Sequence, residues 1–151
     1  MKKKSVVILM ADDDTDDIML VKDAFGKIGI RSDFRSVENG KELLRYLRRE
    51  GDFADASLSP RPDLILLDLN MPLLLGKEAL KKIKASDALR SIPVVVLTTS
   101  TEENNISECY CLGASAYVVK PMGFGELTDA AKAIVQFWFQ LAELPPVSRG
   151  C

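Results

Sequence analysis

The stretch "SVVILMADDDTDD", residues 5 to 17, sets an uncharged apolar run directly against five aspartates. Apolar residues without alternation read as a strand covered on both faces. Carboxylates crowded at its end repel one another unless a cation sits among them. The stretch therefore poses two questions: what sheet the strand belongs to, and what the acids hold.

Three later segments end like the first, in a residue with chemistry. "DLILLD" (63 to 68) and "IPVVVLT" (92 to 98) are fully apolar strands, and "SAYVVK" (115 to 120) is stopped by Pro121. "SDFRSV" (32 to 37) is half-polar and belongs nearer an edge. Helical patterns alternate with the strands. "DIMLVKDAFGKIG" (17 to 29) carries Ile18, Leu20, Val21, Ala24, Phe25 and Ile28 at helical spacing, with Gly29 as its stop. "GKELLRYLRRE" (40 to 50), "GKEALKKIKAS" (76 to 86), "EENNISECYCLG" (102 to 113) and "GELTDAAKAIVQFWFQLAE" (125 to 143) follow. "GDFADASLSPRP" (51 to 62) is a loop by composition. Five strands alternating with five helices predict an α/β fold with a doubly wound, five-stranded parallel sheet. Its ligands should lie outside the carboxyl ends of the strands.

Composition narrows the chemistry. The 151 residues fit one domain, expected over 1–143 with a tail at 144–151 and no room for an output domain. A net charge of −2 disfavours direct nucleic-acid binding; Lys2 to Lys4 and "RYLRR" read as solvated surface. Cys109, Cys111 and Cys151 make no disulfide framework; "MKKK" resembles the start of a secretory signal, but acids follow too soon for an apolar region with a cleavage site, and no apolar run is long enough to span a bilayer, so a cytoplasmic location is expected. The histidine count is zero, which removes histidine bases and histidine metal sites together.

The strand ends supply Asp12 and Asp13, Asp68, Thr98 and Lys120. Three carboxylates, a hydroxyl and an ammonium in one crevice would suit Mg2+ (or Mn2+) and a phosphoryl group, and an aspartate is a known nucleophile for phosphoryl transfer. Asp14, Asp16 and Asp17 are expected instead to cap the first helix and favour its dipole.

These pieces, "ILMADDD", "PDLILLDLNMP", "IPVVVLTTS" and "GASAYVVKP", resemble the response-regulator receiver domains over nearly the whole chain. The loop at 51 to 62 and the ending "QFWFQLAELP" are similar to the small regulators paired with phytochromes. The resemblance implies a flavodoxin-like (βα)5 sheet of order 2-1-3-4-5. It implies that Asp68 accepts a phosphoryl group from a sensor histidine kinase. Asp13, Asp68 and the backbone carbonyl of Asn70 would hold the metal, with Asp12 acting through water. Lys120 would pair with the phosphoryl oxygens, and the Lys120–Pro121 bond would be cis. Thr98 would move toward the phosphoryl group, and Tyr117 would turn inward behind it. The resemblance also puts Ser100 and Asn70 at the positions where the family tunes the phosphoryl lifetime.

The chain departs from the family at "LLLG", where Leu73, Leu74 and Leu75 replace polar residues. They are either local packing or a docking surface. The last helix carries two apolar stripes, Leu127, Ala130, Ile134, Trp138 and Leu141, and Ala131, Val135, Phe139 and Ala142. One stripe suffices to cover a sheet, so Val135 and Phe139 are expected to face a second copy in a homodimer. A haloacid-dehalogenase-type phosphatase uses similar groups, but that reading needs an acid two residues after the nucleophile, where this chain has Asn70. It also wants the acid pair last, whereas here it comes first. A degenerate receiver serving only as a scaffold is disfavoured because every key residue is present.

Overall fold

A computed structural model describes residues 5–28 and 31–146 of the chain. Gly29, Lys2 to Lys4, and residues 147–151 of the tail, Cys151 included, lie outside the described residues.

The five expected strand segments form β1 (Val6–Ala11), β2 (Ser32–Val37), β3 (Leu64–Leu67), β4 (Val94–Thr98) and β5 (Ala116–Val119). All neighbours pair in parallel, in the order β2-β1-β3-β4-β5. The connecting helices are α1 (Thr15–Gly26), α2 (Gly40–Arg48), α3 (Gly76–Ala85), α4 (Glu103–Cys111) and α5 (Phe124–Val135). This is the flavodoxin-like (βα)5 arrangement, and its central strands are covered on both faces.

Strand alternation divides the interior into two layers. Leu9, Ala11, Ile65, Leu67, Val94 and Val96 point toward α2, α3 and α4. Ile8, Met10, Leu64, Leu66, Val95 and Leu97 point toward α1 and α5. The two edge strands are more polar or more exposed, as parallel edges must be: β2 carries the Arg35–Asp33 ion pair at 2.7 Å. At the other edge, the β5 backbone N–H of Tyr117 donates to the Tyr110 hydroxyl on α4 at 3.1 Å.

The last helix differs from expectation. Its α-helical part ends at Val135, and Gln136–Leu141 continue as a π-helix. The Ala142 N–H donates to the Phe137 carbonyl at 2.7 Å, a five-residue span. Val135 and Phe139 are buried in the chain's own core beside Ile18, Val21 and Phe25 of α1, so they do not face a second copy. The reason is packing: α5 lies against both the sheet and α1, and a helix with two neighbours buries two stripes. The wide turn then brings Phe139 inward and leaves Phe137 and Leu141 exposed.

Two glycines fix the loop between β3 and α3. A Cβ on Gly76 would lie 2.2 Å from the Asp68 carbonyl oxygen, and one on Gly40 would lie 2.2 Å from the Leu74 carbonyl oxygen. Leu74 is thus pinned over the start of α2 and packs on the core, while Leu73 and Leu75 are exposed. Leu73 also has φ 66°, a left-handed conformation that disfavours a side chain.

Candidate functional site

β1 and β3 are adjacent in the sheet, so their carboxyl ends bring Asp12, Asp13 and Asp68 together. The Asp12 N–H donates to the Val37 carbonyl at 3.1 Å, and the Asp68 N–H donates to the Ala11 carbonyl at 2.9 Å. These bonds extend the ladders one residue past the strands and fix both acids. One carboxylate oxygen from each of Asp12, Asp13 and Asp68 lies within 4.8 Å of the others. Asp12 and Asp68 are buried, whereas Asp13 faces solvent at the crevice mouth.

β4 and β5 complete the crevice. The Lys120 backbone N–H donates to the Thr98 carbonyl at 2.7 Å, joining the two strand ends. The Lys120 ammonium reaches Asp12 Oδ2 at 2.5 Å and Asp17 Oδ2 at 2.9 Å. Burial opposes its charge, but the hydrogen bonds it donates to Asp12 and Asp17 outweigh that and raise its pKa to about 12. Burial pushes Asp12 up to about 6, against the pull of Lys120. The Lys120–Pro121 bond is trans, correcting the expectation of a cis bond: no cis peptide occurs among the described residues. The trans form is the intrinsically preferred one, and in it Lys120 already reaches the site.

Thr98 is fully buried, and its Oγ1 is the one buried side-chain polar atom without a hydrogen-bond partner among the described residues. Buried hydroxyls are normally paired. An orphan donor beside a carboxylate cluster fits a ligand oxygen arriving there. Tyr117 is half-buried and its hydroxyl donates to the Ser100 carbonyl at 2.9 Å. The Ser100 hydroxyl accepts from Asn105 Nδ2 at 2.9 Å, and Lys77 Nζ donates to Asn105 Oδ1 at 2.8 Å. The loop after β4 is thereby tied to α3, α4 and β5. Asn70 is exposed beside the crevice.

The aspartates after Asp13 divide. Asp14 caps α1, its Oδ1 accepting from the Asp16 and Asp17 N–H groups, and Asp16 is exposed in the first turn. Asp17 is in that turn too, but its carboxylate turns back to Lys120. Sequence reasoning placed Asp17 at the helix start and missed this second role. Its signal was available only through the fold, which sets the α1 N-terminus beside the end of β5.

The donor set is entirely hard oxygen, as divalent cations of the Mg2+ and Mn2+ type prefer. Four carboxyl groups, Asp12, Asp13, Asp17 and Asp68, gather around one ammonium, an acidic excess that such a cation would offset. The fit is chemical as well as spatial.

Comparison with known proteins agrees. The response regulator receiver domain family matches residues 8–132. The probable methanogenesis regulatory protein FilR2 of Methanothrix harundinacea is 38% identical over 133 residues, covering 87% of this chain and 83% of that protein. The phosphorylated cyanobacterial phytochrome response regulator RcpA superposes with a TM-score of 0.89 at 39% identity, covering 94% of this chain and 99% of that one. The Mn2+-bound form of response regulator Rcp1, a protein known from Synechocystis sp., superposes with a TM-score of 0.87 at 35% identity, covering 93% and 99%. Receiver domains of this family accept and lose a phosphoryl group on their own side chain and do not turn over a separate substrate. Sheet order, acid cluster, orphan hydroxyl and buried lysine therefore converge, and the chain belongs to the response regulator receiver domain family.

Proposed function

We propose that this chain is a phosphoacceptor of a two-component system, taking a phosphoryl group on Asp68 from a sensor histidine kinase. The observation that carries this is the buried Asp68 carboxylate within 4.8 Å of Asp12 and Asp13. An Asp68 oxygen forms a bond to phosphorus as the bond from phosphorus to the donor nitrogen breaks, and the electron pair returns to the donor imidazole. Asp13 and Asp68 would hold Mg2+ with the Asn70 carbonyl, Asp12 acting through water. The ion would supply positive charge to the developing phosphoryl oxygens.

The remaining work falls to the chain itself. Lys120 would supply an ammonium to the phosphoryl oxygens. Thr98 Oγ1, lacking a partner, donates to a phosphoryl oxygen once one is present. Ser100 and Tyr117 then feel the movement of Thr98, because the Tyr117 hydroxyl is bound to the Ser100 carbonyl. The contacts from Ser100 through Asn105 to Lys77 give α4 a resting arrangement that the movement would disturb.

The similarity to RcpA and Rcp1 favours a phytochrome as the kinase. Exposed Met19 and Phe124 line one shallow depression with Asp16, Leu20 and Asp23, which would offer a partly apolar approach for it. Leu73 is the second candidate contact, so Leu73→Asp should slow transfer from the kinase and leave transfer from acetyl phosphate intact. A homodimer through the last helix would use exposed Phe137 and Leu141. Leu141→Glu should then lower the sedimentation coefficient to that of a monomer.

Intact mass after incubation with acetyl phosphate and Mg2+ tests the main reading. The wild type should gain one phosphoryl group and Asp68→Asn none. If the wild type gains nothing and also fails to bind beryllofluoride, the chain is a scaffold instead.

A further inference from the structure

Lys120 is held by two carboxylates of unequal freedom. Asp12 is completely buried at the end of β1, 2.5 Å from Nζ. Asp17 lies 2.9 Å from the same nitrogen on the first turn of α1, and its side chain is 22% exposed. Asp68 is not a hydrogen-bond partner of Lys120 in this structure. An ammonium has three N–H donors, and two are committed to acids that are not the phosphoacceptor.

Phosphorylation adds about one negative charge at Asp68 and presents new acceptor oxygens. Lys120 is the only cationic side chain among the site residues, so these oxygens compete for it with Asp12 and Asp17. The two rivals differ in what release would cost. Asp12 has no solvent to turn to, and parting from Lys120 would strand a buried charge. Asp17 can rotate into water.

We propose that Asp17 is a positioning residue: it draws the Lys120 ammonium toward α1 in the resting chain and yields it to the phosphoryl group. The strength of the Asp17–Lys120 contact then sets how firmly the acyl phosphate is held. Asp16 supplies the internal comparison. It stands on the same turn with the same charge, but is exposed and does not bond Lys120. The inference rests on Asp68 being the phosphoacceptor.

The experiment is a titration of the full chain with beryllofluoride in saturating Mg2+, followed by 19F NMR. Asp17→Asn should bind about fivefold more tightly than wild type, the scale of a partly exposed ion pair no longer competing. Asp16→Asn should be unchanged. A crystal structure of the wild-type complex needs no variant and should show Asp17 moved beyond about 4 Å from Nζ, the limit of an ion pair, with Asp12 still in contact. Unchanged or weaker binding in Asp17→Asn overturns the proposal. So does an equal gain in Asp16→Asn, or an Asp17–Lys120 contact that survives in the complex. A wild type that binds no beryllofluoride overturns the phosphoacceptor reading, and this one with it.

Discussion

Thr98→Val should make the resting chain more stable and the phosphorylated one weaker. Valine matches threonine in shape and suits a central strand, so the substitution mainly replaces the unpaired Oγ1 with a methyl group. A buried hydroxyl left without a partner costs about 1–3 kcal/mol. Removing it should therefore raise stability by about 1–2 kcal/mol, or roughly 2–8 °C in melting temperature for a domain of this size. With Mg2+ and beryllofluoride the order changes. The wild-type hydroxyl then bonds a charged acceptor, a contact worth about 1.5–3 kcal/mol that valine cannot make. Ligand-induced stabilisation follows affinity by mass action, so the variant's gain should be smaller by that amount. Urea unfolding with and without beryllofluoride measures both quantities on the same samples. A variant less stable than wild type without ligand would show that the hydroxyl is satisfied at rest. An equal gain with ligand would show that Thr98 does not reach the phosphoryl group.

Three further outcomes are expected. Phe139→Ala should lose about 3–5 kcal/mol in urea unfolding, since Phe139 fills the core between α1 and the sheet. Leu73→Gly should gain up to about 1 kcal/mol by relieving the left-handed backbone at an exposed position. Tyr46 is buried, which raises its pKa from 10.0 to about 12. The folded chain therefore holds this proton more tightly than the unfolded one. Its stabilising effect is intact below pH 10 and is lost as pH rises toward 12, by about 1.4 kcal/mol at pH 11. Tyr46→Phe should lack that loss when the two pH–stability curves are compared.

The sheet and the crevice were readable because they depend on local pattern. Uninterrupted apolar runs ending in Asp12, Asp68 and Thr98 locate strands and reactive ends at once, and the topology does the rest. What failed depends on neighbours that no single segment contains. The Val135 and Phe139 stripe looked surplus on one helix lying on a sheet; it is core because α1 lies alongside. The π-turn at Gln136–Leu141 also breaks the even spacing on which stripe counting relies. Asp17 has both the composition and the position of a helix-start acid. Only the closeness of the α1 N-terminus to Lys120 gives it a second partner. The trans Lys120–Pro121 bond departs from what the family resemblance implies, since the isomer of that bond was carried over from the family and not read from local pattern.

The Tyr110 hydroxyl on the outer edge of β5 bears on how this protein behaves at high concentration. A sheet closed by α/β crossovers still has two open sides, and a bare row of N–H groups there invites the strand of another molecule. On the β2 side, the Arg35–Asp33 pair makes such an approach electrostatically costly. On the β5 side the chain has no such charges within Ala116–Val119, and a phenol from α4 occupies the Tyr117 N–H instead. That single oxygen acts as a guard against strand-to-strand growth. It ties the solubility of the folded chain to the seating of α4, a helix that buries only Cys109.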